Sequence, residues 1–477
     1  MFETGIRQFQ MAWAMIWGRP INPRTVERLI RDGLHTLQEF GAPGDDVQQL
    51  LEGPFSDPIA RRDFQNRALQ RTLHRLMHVS PYYQKRFASL ALDIEKLNVD
   101  DMPRLPITLK KDIQEHEQEF ITTDSHPYIT TRTTGTTGRP AEIWLSKYEI
   151  ELWPAMAALS GLLRNEIGPQ DCMQINISSR ATAAVQQNIV VCRLTGARTR
   201  VLGVIPPDES LDCLLSGGDE APTLLSTYPS YLAQLVQAAR RRHLGPYDFR
   251  LRRIDCGGEV LSAALAHAAQ ETLGPRLVND TFGMTEILPV SGRACNQGHL
   301  HHDLNMGFVE VIDLESGEPA VAGALGTVVV TPYYPYRECM PVFRYDTRDV
   351  VRRLPDGPLT CDLAGVPATS RILSKVDHLL RVNEQIVTLR DIVELLEALP
   401  SEPWPARFKA QVIDNALGLT LPEQALNKVS KEEVERRFRA SGLPVSIITD
   451  VVHESESISL RPLRADLVET TFAVRRD

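Results

Sequence analysis

Between about residues 105 and 350, short β-rich runs alternate with helical stretches, and glycine-rich turns separate them. No other feature narrows the fold as much. Met173–Ile177, Arg200–Val204, Thr223–Ser226 and Arg253–Cys256 read as strands, and Ser230–Arg242 and Ser262–Leu273 as helices among them. Strands that alternate with helices pair in parallel and carry the helices on the sheet faces. The pattern therefore predicts an α/β layered domain with a largely parallel sheet. Near 325–354 strands dominate, Gly326–Thr331 and then Phe343–Val351, which predicts an antiparallel appendage.

Helices flank this block on the N-terminal side. Thr25–Phe40 places Val26, Leu29, Ile30, Leu34, Leu37 and Phe40 at helical spacing and stops at Gly41-Ala42-Pro43-Gly44. A second helix is expected from Ile59 to Met77, before Ser80-Pro81. In the last hundred residues, Leu389–Leu399 and Lys431–Ala440 read as helices, and Phe408–Ile413, Gly418–Leu421 and Val445–Val452 as strands. Two helices over a small sheet predict an α+β cap domain. The expected division is an N-terminal helical extension at 1–75, a large α/β domain of several subdomains at 76–375 and a small α+β C-terminal domain at 376–477.

Charge and cysteine content exclude several function classes. Lys and Arg number 52 against 61 Asp and Glu, a net charge of −9 that argues against a general nucleic-acid binder. The apolar run Met11–Trp17 is cut off by Arg19 and Pro20, too short for a membrane span and without the basic flank of a signal peptide. Seven scattered cysteines in a large chain are no disulfide framework, so the expected compartment is a reducing cytoplasm.

Three stretches suggest nucleotide chemistry. Thr133-Thr134-Gly135-Thr136-Thr137-Gly138-Arg139-Pro140 alternates hydroxyls with glycines and ends on a cation. Glycines let backbone N–H groups approach an anion, so the stretch reads as a mobile phosphate loop, though without Walker A spacing. The other reading is a surface Thr/Gly turn. Asn279-Asp280-Thr281-Phe282-Gly283-Met284-Thr285-Glu286 follows a strand and offers an aromatic ring, a hydroxyl and a carboxylate, enough to stack a base, pass a phosphate and hold Mg²⁺. Its alternative is a strand–turn–helix junction capped by Thr. Arg344-Tyr345-Asp346-Thr347-Arg348-Asp349 offers a carboxylate for ribose hydroxyls or, in the plainer reading, a hairpin ion pair.

In this order the three stretches resemble the adenylate-forming superfamily of acyl-CoA synthetases and adenylation domains, and its phenylacetate–coenzyme A ligase branch in particular. His78-Val79-Ser80-Pro81-Tyr82-Tyr83, Leu105–Lys111, Tyr228-Pro229-Ser230-Tyr231 and Gly257-Gly258-Glu259 resemble further motifs of that branch. The resemblance implies an ATP-dependent ligase that adenylates a small carboxylic acid with Mg²⁺. It implies that Thr133, Thr134, Gly135, Thr136, Thr137, Gly138 and Arg139 hold phosphates, with Arg139 where Lys is usual. Gly257, Gly258 and Glu259 would border the adenine beside Asp280, and Phe282 would stack on it ahead of Gly283. Thr285 would touch the α-phosphate, Glu286 hold Mg²⁺ and Asp349 bind ribose.

Several positions depart from the family pattern. Arg348 replaces the Gly of Arg-Tyr-x-Thr-Gly-Asp, so that turn is expected to do without Gly torsions. Ser374-Lys375-Val376-Asp377-His378 stands at the hinge, where Lys375 keeps the charge of the usual Arg. Glu384 falls where a glycine lines the pantetheine tunnel, which implies poor access for CoA. No Lys follows Lys431, although the family places one near its C-terminus; Asp466, Arg461 and Arg464 lie nearest that place. These changes favour an acceptor other than CoA, such as an amine or a carrier protein. They also leave open an ordinary aryl-CoA ligase or a degenerate nucleotide-binding homologue.

The branch often carries Cys and His at places similar to Cys295, His301 and Cys361. With Cys339 they would make a Cys₃His zinc site; otherwise they are free cysteines beside the polar His299–His302 segment. Leu145 and the Ile175–Gln187 stretch are expected to line the acyl pocket. There Asn176, Ser178, Ser179 and Arg180 supply polarity, and Arg180 is a candidate partner for a second acid group.

Overall fold

The computed structural model describes residues 2–40, 57–90, 92–133, 140–178, 181–303, 305–355, 357, 359–361, 363–364, 366–382, 385–413, 416–443 and 445–449. Among the described residues, two N-terminal helices, Phe2–Trp17 and Pro23–Phe40, precede a third at Pro58–Val79. That third helix starts where the Asp57 carboxylate accepts the Ile59 N–H at 2.9 Å and Pro58 occupies the first turn. It ends at Ser80, where Pro81 opens the next helix, Pro81–Ala88.

A hairpin follows, β1 (Pro127–Arg132) and β2 (Glu142–Ser146), with Arg132 opposite Glu142. The central sheet is built from β3 (Cys172–Ile175), β4 (Arg198–Val201), β5 (Leu224–Thr227), β6 (Arg253–Gly257), β7 (Leu277–Gly283), β8 (Ser291–Ala294) and β9 (His299–His302). β4, β3, β5, β6 and β7 run parallel in that order, and β8 and β9 return antiparallel beside β7. Helices Thr182–Thr195, Pro207–Leu215, Pro229–Arg241 and Ala263–Leu273 make the crossovers. The expected α/β architecture is therefore the observed one, with strand ends shifted by one to three residues.

A second sheet contains β10 (Gly307–Asp313), β11 (Leu325–Pro332) and β12 (Tyr345–Arg352), all antiparallel. β13 (Ala368–Ser370) adds to the edge of the central sheet beside β9, and β14 (Ser374–Lys375) pairs with β12. The C-terminal unit begins with the hairpin β15 (Leu380–Val382) and β16 (Gln385–Val387) and the helix Leu389–Glu397. β17 (Lys409–Ile413), β18 (Ala416–Leu421) and β19 (Val445–Thr449) form its sheet, with helix Lys431–Ala440 crossing from β18 to the parallel β19. This is the expected α+β cap, with its own core around Val387, Leu396, Phe408, Leu419 and Phe438. No helix among the described residues is long and apolar enough to cross a membrane.

The cap docks on the large domain through polar contacts around helix Ala263–Leu273. Arg390 donates to the Leu261 carbonyl (2.7 Å) and to Asp280 (3.1 Å), and Glu394 accepts the Ala263 N–H (2.8 Å). Glu397 lies 2.5 Å from the Ser262 hydroxyl and accepts the Ala406 N–H at 2.9 Å. Burial pushes the Glu397 carboxyl up to about 7, against these hydrogen bonds, which favour its charged form. Between the ordinary carboxylate range and pH 7 the folded protein holds a proton that the unfolded chain has released. Stability contributed at this site is therefore full at low pH and falls as pH rises through that window, by at most about 1.4 kcal/mol per pH unit. Urea unfolding of Glu397→Gln between pH 5 and pH 8 is expected to lack this component, and an unchanged pH slope would count against it.

Candidate active site

In an open parallel sheet, ligands bind beyond the carboxyl ends of the strands. Here Tyr228 follows β5, Gly258 follows β6 and Thr285 follows β7, so three strand ends meet at one edge. Gly257 lies opposite Thr281; a Cβ there would come within 2.8 Å of the Thr281 hydroxyl oxygen. Gly258 takes φ +81°, beside the Tyr228 ring, so the backbone turns sharply where a bulkier residue would be strained. Glu259 accepts the Ser230 N–H at 2.9 Å and caps the helix after β5. Asp280 faces the cap and pairs with Arg390 rather than opening into the crevice. Burial raises its carboxyl while Arg390 holds it down. Phe282 is buried, edge-on to the His302 ring at 5.9 Å, and open space surrounds Gly283.

Thr285 and Glu286 begin the 3₁₀ turn Thr285–Ile287. The Glu286 side chain is buried, which pushes its carboxyl up, while Lys110 and Lys375 favour the charged form and Asp349 opposes it. Tyr345 donates its hydroxyl to Glu286 at 3.5 Å. Asp349, on β12, accepts from Lys375 Nζ at 2.7 Å, and the same ammonium reaches the Thr347 carbonyl at 3.0 Å. Burial raises Asp349 against that ion pair. Two carboxylates and two ammonium groups thus share one buried region, suited to a polyphosphate and a divalent cation.

Arg348 keeps φ at +57°, so a left-handed torsion persists at the position where the sequence suggested that it would be lost. A non-glycine residue there costs roughly 1–2 kcal/mol, and the guanidinium is tied to Asp377 at the hinge through both carboxylate oxygens. The upstream segments are fastened to the same strand. Tyr83 accepts the Phe343 N–H at 2.7 Å, the Thr108 hydroxyl donates to the Phe343 carbonyl at 2.6 Å, and the Thr108 carbonyl accepts the Asp346 N–H at 3.0 Å. These bonds set Lys110, the first residue of helix Lys110–Phe120, near Glu286. Lys110 and Tyr345 are site residues that motif reading missed. The signal was available: both lie inside stretches singled out for other residues.

Thr133 sits at the base of the β1–β2 hairpin, its N–H donating to the Ala141 carbonyl at 3.0 Å. Thr134, Gly135, Thr136, Thr137, Gly138 and Arg139 lie outside the described residues, as do Ser179, Arg180, Glu384, Arg461, Arg464 and Asp466. Leu145 is buried on β2. Asn176 proves structural. Its amide oxygen accepts from Gln174 (2.9 Å) and Ser210 (3.1 Å) and its nitrogen donates to Gly203 (2.9 Å), so three of its four hydrogen-bonding capacities serve the protein itself.

The cysteine–histidine set requires one correction. Cys295, His299, His301 and Cys361 place one ligand atom each within 4.8 Å of the others. Cys339 is elsewhere: its N–H donates to Glu149 at 3.1 Å and its carbonyl accepts the Thr122 N–H at 2.9 Å. Burial pushes its thiol up to about 11. His299 takes the fourth place because alternate residues of β9 share a face with His301.

Residues 72–331, more than half of the chain, match the AMP-binding enzyme family. The chain belongs to that family. As an AMP-binding enzyme of the phenylacetate–CoA ligase-like branch, it is an ATP-dependent ligase that forms acyl-adenylates. The phenylacetate-coenzyme A ligase of Thermus thermophilus is 25% identical over 360 residues, 71% of this chain and 76% of that protein. The phenylacetate-coenzyme A ligase of Pseudomonas putida is 24% identical over 367 residues, 71% and 78% of the two chains. Among solved structures, 2-hydroxyisobutyryl-CoA ligase in the postadenylation state with 2-HIB-AMP aligns with a TM-score of 0.71 at 17% identity, covering 88% of this chain and 89% of that one. That likeness is one of fold.

Proposed function

We infer that this AMP-binding enzyme adenylates a small carboxylic acid, aromatic or polar, and that CoA is a poor acceptor for the acyl group. The observation that carries the first half is the meeting of Thr285-Glu286 with Asp349–Lys375 beyond the parallel strands. A carboxylate oxygen of the acid attacks the α-phosphorus of ATP, the bond to the bridging oxygen breaks, and pyrophosphate leaves. Lys110 and Lys375 offset the charge that builds on the phosphoryl oxygens, and Thr285 donates a hydrogen bond there. Glu286 and the phosphate loop would hold Mg²⁺, which supplies further charge neutralisation. Asp349 would accept from the ribose hydroxyls, and Gly257, Gly258 and Phe282 would border the adenine.

The reading of the acceptor rests on Glu384. The resemblance puts it where a glycine lines the pantetheine tunnel, and side-chain bulk and negative charge at such a place would oppose a polyanionic thiol such as CoA; an amine or a carrier protein is then the better nucleophile. The four relatives that are phenylacetate-coenzyme A ligases favour the ordinary CoA reaction instead. Mass spectrometry of the products separates the two. With an accepted acid, the expected result is adenylate without CoA thioester, and thioester gained in Glu384→Gly. Efficient thioester synthesis by the wild type would restore the ordinary CoA ligase.

The Cys295 cluster fits a structural zinc ion. His301 Nδ1 donates to the Val366 carbonyl at 2.8 Å, which leaves Nε2 as the acceptor, 3.3 Å from Cys361 Sγ. His299 Nδ1 is buried without a hydrogen-bond partner among the described residues. Two thiolates and two imidazoles match zinc chemistry, and the second bond of His301 is the kind that orients a ligand. Metal analysis is expected to find about one zinc per chain, and His299→Ala, but not Cys339→Ser, to lower that content. Metal-free protein purified without chelators would refute this. The seven free cysteines suit a reducing cytoplasm.

A further inference from the structure

The last turns of helix Pro58–Val79 carry His74 and His78, four residues apart and so on one face. Both side chains are largely exposed, 62% and 58%, and their ring centroids lie 4.2 Å apart. The chain turns at Ser80-Pro81, runs through helix Pro81–Ala88 and returns at the 3₁₀ turn Ile94–Lys96, which brings Glu95 against the two rings. Nδ1 of His74 lies 2.8 Å from Glu95 Oε2, and Nδ1 of His78 lies 2.8 Å from the His74 carbonyl. The other Glu95 oxygen is 3.7 Å from His78 Nδ1.

A carbonyl oxygen only accepts, so the proton of a neutral His78 is on Nδ1. The ionised Glu95 carboxylate likewise accepts from Nδ1–H of His74. Each neutral ring therefore has its free lone pair on Nε2. A carboxylate behind one imidazole and a backbone carbonyl behind the other are the partners that orient metal-binding histidines and fix their tautomer. The three side chains form one cluster, with a ligand atom of each within 4.8 Å of the others, and both Nδ1 atoms lie toward Glu95, which leaves the Nε2 atoms as the outer edge of the ring pair.

We propose that His74 and His78 chelate a divalent first-row transition ion through their Nε2 atoms, with Glu95 holding the His74 ring. Imidazole suits Zn²⁺, Ni²⁺ and Cu²⁺, whereas Mg²⁺ and Ca²⁺ want oxygen ligands. Two protein nitrogens leave positions for water, so this is an open, exchangeable site, unlike the closed Cys295 cluster. It is separate from the adenylate site and uses none of its residues. Bound metal would clip the last two turns of the helix to each other.

Titration calorimetry of the full chain with NiCl₂ at pH 7.5 tests this, with wild type, His74→Gln/His78→Gln and Glu95→Gln side by side. All three residues are exposed, and far-ultraviolet circular dichroism is the check that the variants remain folded. The expected result is one Ni²⁺ equivalent in the wild type that is lost in the double variant. Glu95→Gln should weaken the same event by roughly tenfold or more. Excess MgCl₂ should not compete. Binding at the Cys295 cluster needs neither histidine, so the difference between wild type and double variant isolates the surface site. Equal Ni²⁺ binding by wild type and double variant, or no saturable event in the wild type, would overturn the proposal. Unchanged affinity in Glu95→Gln would overturn the part assigned to Glu95.

Discussion

Replacing Glu286 by glutamine is expected to lower acid-dependent turnover of MgATP by well over tenfold, about 1.4 kcal/mol of barrier for each decade. The substitution keeps shape and hydrogen-bonding capacity at a buried position, so the fold is expected to persist. It removes a carboxylate that Lys110 and Lys375 favour in its charged form and to which Tyr345 donates. Burial pushes that carboxyl up, and the two ammonium groups favour its charged form against the burial. Steady-state rates at saturating acid across a Mg²⁺ series measure the effect, which should include a higher Mg²⁺ requirement. Wild-type rates at every Mg²⁺ concentration would remove Glu286 from the mechanism. Thr136→Ala with Thr137→Ala should cause a loss of similar size.

Glu149→Ala should destabilise the protein by about 3–5 kcal/mol, the usual result of leaving one member of a buried ion pair alone. Glu149 is fully buried on helix Lys147–Leu163 and accepts N–H groups from Ser146 (2.7 Å), Glu338 (2.8 Å) and Cys339 (3.1 Å). Its partner Arg337, 3.8 Å away, stacks over Trp153 and donates to the Met340 carbonyl at 2.9 Å and the Leu288 carbonyl at 3.4 Å. One pair therefore ties the helix to the segment that leads into β12 and to the turn that carries Thr285 and Glu286. Burial pushes the Glu149 carboxyl up and lowers the Arg337 guanidinium, so each depends on the other to remain charged. Urea denaturation measures the loss. Removing both charges, Glu149→Leu with Arg337→Met, should cost less than Glu149→Ala. A loss below about 1 kcal/mol in Glu149→Ala would contradict this account of the pair.

Local rhythm and short motifs made most of the fold legible. The alternation of β-rich and helical runs is a local property, and it led to a parallel sheet whose strand ends carry Tyr228, Gly258 and Thr285. Motif spacing likewise singled out Glu286 and Asp349, which the structure brings into one buried region. What local reading missed is pairing across the chain. Cys339 enters the expected ligand set as a substitute for a missing second cysteine, but Glu149, 190 residues away, bonds its backbone elsewhere. His299 looked like part of a polar loop, yet β9 pairs with β8 and β13 and turns His299 toward His301 and Cys361. Asp280 read as a nucleotide contact, but Arg390, 110 residues later, claims it for docking of the cap. Arg348 shows the reverse case, a turn that keeps its left-handed torsion without glycine because Asp377 anchors the side chain.

The central claim is that this site makes acyl-adenylates from small carboxylic acids, and pyrophosphate release from ATP tests it most directly. Purified protein with MgATP and a panel of aromatic and polar acids is expected to release pyrophosphate only with some of those acids, and Glu286→Gln is expected to abolish the acid-dependent part. Release that is the same with and without every acid, or the same in wild type and Glu286→Gln, would contradict it.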